Sequence, residues 1–130
     1  MSELVRFGVS LDRELLERFD ALIRVRQYSN RSEAIRDLIR QELVARAWEE
    51  GSTVAGAITY IYDHHQRELT SRVIDIQHDF QDVIISTQHI HLDHDNCLEI
   101  VAVRGPSPRV EKLAHTLKAL KGVRHGALHK

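Results

Sequence analysis

The N-terminal segment "VRFGVSL" constrains the fold most, because it has the pattern of a strand but no neighbouring strand to pair with. Val5, Phe7, Val9 and Leu11 alternate with small or charged residues, which is the period of a half-buried β-strand. Two helical segments follow before the next strand-like segment occurs. A lone strand leaves both edges unpaired, and a unit of roughly 50 residues seldom folds without support. We therefore predict that two chains pair these strands into an antiparallel ribbon, forming an intertwined dimer.

The two helical segments carry start signals. Asp12 precedes "RELLERFDALIRV", in which apolar residues recur at helical spacing, and is a predicted N-cap. After the turn "QYSN", Asn30 precedes "RSEAIRDLIRQELVARAW" with Glu33 three residues later, which is the pattern of a capping box. The N-terminal segment is therefore predicted to fold as strand, helix, turn and helix.

The outward face of the predicted ribbon carries Arg6, Gly8 and Ser10. A two-stranded ribbon fits the DNA major groove, where arginine and short polar side chains contact base edges. The strand, the helices and "NRSEAIRDLIR" resemble the ribbon-helix-helix repressors over about residues 4–48. The resemblance implies that the three outward residues read bases, although Gly8 departs from the serine or threonine expected there. It also implies that the start of the second helix binds a DNA phosphate, in agreement with the free N–H groups of a helix N-terminus. The residues implied for that contact are Asn30, Arg31 and Ser32.

The second part of the chain has a different organisation. Beyond a linker-like "EEGST", the sequence predicts a strand (about 54–62), a helix (66–78), two strands (83–92 and 97–104), a helix (109–120) and a short strand (123–128). This order is βαββαβ, the ferredoxin-like arrangement. The expected fold is thus α+β, with a DNA-binding domain over residues 1–50 and a second domain over residues 51–130.

Composition limits the classes of function. The formal net charge of −1 gives no electrostatic indication of nucleic-acid binding, so the DNA-binding prediction depends on the pattern alone. The single cysteine allows no intrachain disulfide. We find no leader-like apolar run and no apolar stretch of about 20 residues, and we expect a cytoplasmic protein with no membrane partner.

The segment "QHIHLDHDNCLEI" holds three histidines and the one cysteine, with His89, His91 and Cys97 on two neighbouring predicted strands and His94 between them. We predict that the apolar residues of both strands face the core, namely Ile90 and Leu92 on the first and Leu98, Ile100 and Ala102 on the second. A slip of one residue would turn every side chain to the other face, so burial of both apolar sets selects a three-residue loop, residues 93–95. The resulting register is therefore a prediction about side-chain faces as well as pairing.

That register pairs His91 with Cys97 and His89 with Glu99. The two imidazoles and the thiol then share one face, which we expect to point away from the helices. Such a set suits tetrahedral zinc as well as square-planar nickel or copper, so the residues leave the metal open. His78, at the end of the preceding helix, lies on the other side in this arrangement. A second chain is then the expected source of a fourth ligand.

The spacing H-x10-H-x-H-x5-C, from His78 to Cys97, follows a ribbon-helix-helix segment and "YDHHQREL". This combination resembles the nickel-responsive repressor family (NikR type) over nearly the whole chain. The resemblance implies one square-planar Ni(II) site per subunit, formed by His89, His91 and Cys97 of one subunit and His78 of another. It also implies an ACT-like C-terminal domain, a homotetramer built as a dimer of dimers, and repression of nickel-uptake genes at a palindromic operator when nickel is plentiful.

Two further residues gain expected roles from this resemblance. Glu99 is a candidate partner for the second N–H of a ligating histidine, because such imidazoles need orientation. Arg67 is a candidate contact to DNA phosphate. His64, His65 and His94 are interpreted as solvated loop histidines, with weaker accessory metal sites as the other interpretation.

Two other classes of function would use the same residues differently. In a metalloenzyme, four protein ligands would leave no open position for substrate, and we expect no enzyme. A ribbon-helix-helix regulator whose ACT-like domain binds an amino acid, with incidental histidines, is the alternative that the residues leave open. A Cys97→Ala substitution would distinguish the two, because only a nickel response needs the thiolate.

Overall fold

The computed structural model describes residues 2–130, which form two compact units. One unit runs through Gln41 and the other from Glu42 to Lys130. In chain order the elements are α1 (Arg13–Val25), α2 (Arg31–Glu49), β1 (Thr53–Asp63), α3 (Arg67–Asp79), β2 (Ile84–His91), β3 (Asn96–Pro106), α4 (Ser107–Lys118) and β4 (Arg124–His129). Within the described residues, no helix has the length and hydropathy that crossing a bilayer requires.

Both helices of the N-terminal region begin at the predicted caps. The Asp12 carboxylate accepts a hydrogen bond from the Leu15 backbone N–H at 2.8 Å. The Asn30 side-chain oxygen accepts one from the Glu33 backbone N–H at 2.9 Å. The second half of the predicted capping box does not form, because the Glu33 carboxylate pairs with Arg36. Side-chain capping of the first free N–H groups therefore fixes where α1 and α2 start.

Residues 2–12 form no strand within the single chain. Their apolar side chains are open to solvent, and Phe7 is 72% exposed. A segment with alternating apolar residues gains its strand hydrogen bonds and its burial only from a partner strand. The predicted ribbon thus stays a prediction about a second copy of the chain.

The second unit confirms the βαββαβ order. β1, α3, β2, β3, α4 and β4 follow one another, and the sheet order is β2-β3-β1-β4. Every neighbouring strand pair is antiparallel. This is the ferredoxin-like arrangement, in which β2 and β4 are the two edge strands.

The core lies between the sheet and α3 and α4. The fully buried side chains include Ile58 and Tyr60 of β1 and Leu113 and Leu117 of α4. Trp48, at the end of α2, is also buried in this second unit, and its backbone carbonyl accepts a hydrogen bond from the Ser107 hydroxyl at 2.7 Å. Packing at the end of the helix therefore accounts for the tryptophan.

The prediction that Leu98, Ile100 and Ala102 face the core was wrong. These three side chains are half-buried on the side of the sheet without helices. Their neighbours Val101 and Val103 are buried among the residues that α3 and α4 cover.

The tyrosines of β1 explain this choice of face. Tyr62 is the cross-strand partner of Cys97, and Tyr60 is the partner of Glu99. Directly paired residues on neighbouring strands share a face. Burial of the two large aromatic rings against the helices therefore carries Cys97 and Glu99 to the covered side, and the expectation that the ligand face points away from the helices was also wrong.

The covered side is nevertheless open along the edge strand. β2 carries Thr87, His89 and His91 on the same face as Cys97, and all three side chains are exposed. The helices thus bury the thiol on β3 but leave the imidazoles on β2 accessible to a neighbouring molecule.

Candidate metal centre

The hairpin between β2 and β3 has the predicted register. His91 pairs with Cys97 and His89 pairs with Glu99. The Leu92 backbone N–H donates to the Asn96 carbonyl at 2.9 Å, which closes the three-residue loop 93–95. The prediction that these four side chains share one face is therefore confirmed.

The loop itself is held by one carboxylate. The Asp93 side-chain oxygen Oδ1 accepts hydrogen bonds from the backbone N–H of Asp95 at 2.9 Å and of Asn96 at 2.8 Å. These bonds lower the pKa of the Asp93 carboxyl. An aspartate that bonds its own backbone two residues on is a typical turn device, and here it fixes the loop length that sets the register.

The donor atoms of the hairpin differ in environment. The His89 and His91 rings lie 5.0 Å apart between centroids and are exposed. Cys97 is 0% exposed, and its sulfur lies 3.4 Å from the Tyr62 carbonyl oxygen. Burial raises the pKa of the Cys97 thiol, and the charge of Glu99 raises it further. The thiolate that a metal would need must therefore form at the buried end of the site, beside accessible imidazoles.

Glu99 lies where the sequence analysis placed it, beside a candidate ligand. Its Oε1 atom is 4.0 Å from His89 Nδ1 and accepts a hydrogen bond from the Gln77 side-chain amide at 3.2 Å. The same amide donates to the Tyr60 hydroxyl at 2.8 Å, and burial raises the pKa of Tyr60. The second carboxyl oxygen, Oε2, is buried and has no hydrogen-bond partner among residues 2–130. A buried carboxylate near an imidazole, with one oxygen still unpaired, fits a residue that orients a metal-bound histidine.

His78 lies in the last turn of α3 with an exposed side chain. Within residues 2–130, the donor atoms of His78, His89, His91 and Cys97 are not gathered within 4.8 Å of one another. Two imidazoles and one thiol on a common face are a ligand set that nickel accepts, and they leave room for a further ligand. The chemistry of the hairpin donors therefore fits nickel, while the ligand set and the role of His78 stay predictions.

His64 is a neighbour of the candidate site that the sequence analysis missed. Its ring lies 4.7 Å from the His91 ring between centroids, in an edge-to-face arrangement, and its buried Nδ1 atom has no hydrogen-bond partner in the described part of the chain. Desolvation lowers the pKa of His64, and the neighbouring His65 lowers it further. This proximity follows from the cross-strand pairing of Asp63, just before the histidine, with Asn96, which is a long-range contact that the local sequence pattern does not display.

A second group of donors lies at the tip of the hairpin. The ligand atoms of His65, His94 and Asp95 are within 4.8 Å of one another, and all three side chains are exposed. The His65 and His94 rings are 5.1 Å apart between centroids. These histidines are solvent-exposed, as expected, and their arrangement is one that can hold a metal ion.

The predicted base-reading residues lie in the extended N-terminal segment. Arg6, Gly8 and Ser10 are exposed, and no atom of residues 2–130 beyond the chain neighbours lies within 4 Å of the position that a Cβ atom of Gly8 would occupy. Their role in DNA binding remains a prediction.

The predicted phosphate-binding residues at the start of α2 are already engaged in part. The Asn30 side chain caps the helix, while Ser32 is exposed. The Arg31 guanidinium forms two hydrogen bonds of 2.9 Å with the Asp20 carboxylate, and this contact lowers the pKa of Asp20. Arg67 is exposed at the first position of α3. A phosphate approaching α2 would therefore compete with Asp20 for Arg31.

Comparison with known proteins covers nearly the whole chain. The family model described as ribbon-helix-helix protein, copG family, matches residues 5–46. The model described as NikR C terminal nickel binding domain matches residues 55–130. Each region of the chain thus matches a separate family model, in the order that the resemblance implied.

Full-length relatives and one solved structure agree with this division. A protein of Syntrophus aciditrophicus named as a nickel-responsive regulator is 70% identical over 128 residues, covering 98% of this chain and 93% of its own length. Similarly named proteins of Chlorobaculum parvum and Nitratidesulfovibrio vulgaris (strain DP4) are 62% and 52% identical, covering 96% and 98% of this chain and 93% of their own lengths. An uncharacterized Thermotoga maritima protein of known structure matches 61% of this chain and 100% of its own, with a TM-score of 0.54 and 14% identity, and shares the fold alone.

Proposed function

This chain belongs to the nickel-responsive regulator family, and from that premise we propose that nickel bound by its C-terminal domain controls repression by its N-terminal domain at operator DNA. Members of this family are regulators with a ribbon-helix-helix domain and a nickel-binding domain, and the chain is not an enzyme. The transcription that it regulates is proposed to be that of nickel-uptake genes. The expected partners are double-stranded operator DNA and further copies of the chain.

The N-terminal domain, proposed as residues 1–50, pairs with a second copy through the segment that holds Phe7. The exposure of alternating apolar side chains there supports this pairing, because a ribbon of two such segments would bury them against the helices. Arg6, Gly8 and Ser10 then form the outward face of the ribbon and contact base edges in the major groove. A two-fold symmetric ribbon favours a palindromic operator.

Phosphate contacts position the ribbon on the duplex. Asn30, Arg31 and Ser32 lie at the start of α2, where free N–H groups and a guanidinium attract an anion. Arg67 is the further phosphate contact, at the start of α3. Such contacts supply affinity without reading sequence, so the base-facing ribbon supplies the specificity.

The observation that carries the metal-binding proposal is the register of the hairpin within the matched nickel-binding domain. It holds the imidazoles of His89 and His91 opposite Glu99 and Cys97 on one face. We assign these two histidines and the thiolate of Cys97 as nickel ligands, with the partner subunit's His78 as the fourth. Glu99 is the proposed partner that orients His89, because its carboxylate lies 4.0 Å from the Nδ1 atom of that ring.

The chain's own groups prepare this site. Cys97 must lose its proton, and the buried environment that raises its pKa makes this step pH-dependent. The exposed edge strand leaves His89 and His91 accessible to a neighbouring subunit. Nickel, when bound, supplies a link between two subunits, with one ion per subunit in a homotetramer formed as a dimer of dimers. Joint binding of two ribbons to separated half-sites then raises affinity for the operator.

A DNA mobility assay with Ni(II), Cu(II) and Zn(II), combined with absorption spectra of the metal-bound protein, tests the proposal. We expect Ni(II) to induce operator binding and to give a thiolate-to-metal absorption band. The Cys97→Ala variant should lose both the band and the nickel-dependent binding. Operator binding that responds to amino acids and is unchanged in Cys97→Ala would contradict the proposal.

A further inference from the structure

The turn that connects α3 to β2 is held by a single side chain from another element. Arg109, in the first turn of α4, donates to the Asp79 backbone carbonyl at 2.7 Å. It also donates to both carboxylate oxygens of Asp82, at 3.2 Å and 3.0 Å. Its guanidinium carbon lies 3.9 Å from the centroid of the Phe80 ring. One guanidinium therefore contacts three of the four residues that follow His78.

These contacts are suited to fixing the end of a helix. The last carbonyl groups of an α-helix lack partners within the helix, and a cation there is favoured by the helix dipole. Arg109 supplies both the donor and the charge at Asp79, the final residue of α3. Two-pronged pairing with a carboxylate adds a fixed orientation that a lysine would not give.

The turn is also fixed from inside the domain. Phe80 and Val83 are buried in the core, and the Val83 backbone N–H donates to the Phe80 carbonyl at 3.0 Å. Arg109 covers the outer side of the same turn, over the Phe80 ring. The backbone of the last turn of α3, which carries His78, is therefore held by the core on one side and by Arg109 on the other, while the His78 side chain remains exposed.

We propose that Arg109 is a positioning residue for His78. This inference rests on the proposed function, in which His78 is the ligand that each subunit donates to a site on another subunit. A ligand on a turn that is ordered before metal binding avoids the entropy loss of ordering it during binding. Arg109 thus acts on nickel affinity through the end of α3 without touching the ion.

The test is a double-mutant cycle with Ni(II) as the probe and the full-length protein throughout. Arg109→Gln keeps much of the side-chain volume but removes the charge and the two-pronged contact. Removing a residue that hydrogen-bonds to a metal ligand typically weakens metal affinity about 10–100-fold. We expect the low end of that range, about tenfold, because Arg109 acts on His78 through the backbone. In a His78→Ala background, Arg109→Gln should cause no further loss. Arg72→Gln is the matched control, because Arg72 is an exposed arginine of α3 that pairs with Glu68, one helical turn away. This variant should bind nickel like the unmodified protein.

A second measurement needs no metal. Amide hydrogen exchange over residues 76–83 should be faster in Arg109→Gln than in the unmodified protein, and unchanged in Arg72→Gln. Asp82→Asn changes the exposed carboxylate that Arg109 contacts, and it should also weaken nickel binding. This second variant keeps the test valid if Arg109→Gln does not fold.

The outcomes separate the two proposals. Wild-type nickel affinity in Arg109→Gln and Asp82→Asn, or an equal loss with and without His78, would overturn the positioning role while leaving the ligand set intact. If His78→Ala alone leaves nickel affinity unchanged, the proposed ligand set fails, and the positioning role fails with it.

Discussion

Two substitutions at one cross-strand pair separate metal binding from folding. His91 and Cys97 are direct partners in the β2–β3 hairpin, but His91 is exposed whereas Cys97 is 0% exposed and belongs to the core. Changing either residue to alanine removes one proposed nickel ligand. Only the change at Cys97 removes buried atoms, so the two variants should differ in the stability of the metal-free protein.

The expected magnitude follows from the burial of the sulfur. Removing one buried group of this size loses about 0.8 kcal/mol of transfer free energy, and the cavity left behind adds to the cost. The contact of the thiol with the Tyr62 carbonyl is lost as well. We expect Cys97→Ala to lower the free energy of unfolding of the metal-free protein by about 1–2 kcal/mol. His91→Ala should change it by less than about 0.5 kcal/mol, as is usual for an exposed position.

Urea unfolding of metal-free protein, followed by circular dichroism, measures the free energy of unfolding. Competition with a chelator of known nickel affinity measures nickel binding. Both variants should lose more than roughly 100-fold in nickel affinity, which is the upper range for removing a residue that only hydrogen-bonds to a ligand. Equal stability of the two metal-free variants would refute the assignment of Cys97 to the helix-covered face. Unchanged nickel affinity in either variant would refute its assignment as a ligand.

Four further predictions concern the assembled protein. Mixing His78→Ala with His91→Ala subunits should restore about one quarter of the nickel sites, because half of the randomly formed subunit pairs are mixed and each mixed pair holds one complete site out of two. Nickel titration of the mixture measures the recovered sites, and no recovery would indicate that the ligands come from one chain. Because burial raises the pKa of the Cys97 thiol, nickel binding should release a proton, and the affinity should rise with pH by about tenfold per unit between about pH 6 and 8, as chelator competition at each pH would show. Arg6→Ala should weaken binding to the operator more than to unrelated DNA, and equal weakening in mobility assays would argue against base contact. Phe7→Ala should weaken dimerisation by about 3 kcal/mol, measured by sedimentation equilibrium, and an unchanged dissociation constant would contradict the buried ribbon.

Local patterns predicted the order of the elements and the pairing of the hairpin. Three features depend only on nearby residues, and all three are found as expected: the helix caps at Asp12 and Asn30 and the odd number of residues in the 93–95 loop. Such features are determined by short-range hydrogen bonds and by side-chain alternation, which the sequence displays directly.

The side of the sheet that the helices cover was predicted wrongly for a physical reason. Leu98 and Ile100 on one face of β3 and Val101 and Val103 on the other are similarly apolar, so the strand itself does not decide. The buried face of β3 is instead determined by Tyr60 on β1, about forty residues earlier in the chain, because Tyr60 pairs with Glu99 and its ring is buried against the helices. A face that a distant strand selects cannot be read from the alternation of one strand alone.

The approach of His64 to His91 was missed for a similar reason. It depends on how the end of β1 lies beside the hairpin, which is a long-range contact. The local sequence pattern also did not predict the contacts of Arg109, because this arginine lies 27 residues from Asp82 in the chain. Contacts between elements that are distant in sequence are therefore the part of the site that required coordinates.

The carboxylate of Asp93 has a consequence for how this bend can change in length. It closes the tip by bonding the backbone of Asp95 and Asn96. If the three-residue loop is kept, one amino acid inserted beside it would shift the strand pairing by one residue and place the two imidazoles on the sheet side opposite the sulfur, whereas two inserted amino acids would return all three groups to one side. Evolutionary drift or protein engineering can therefore lengthen this hairpin, at a constant loop length, with its donor atoms on one side only in steps of two.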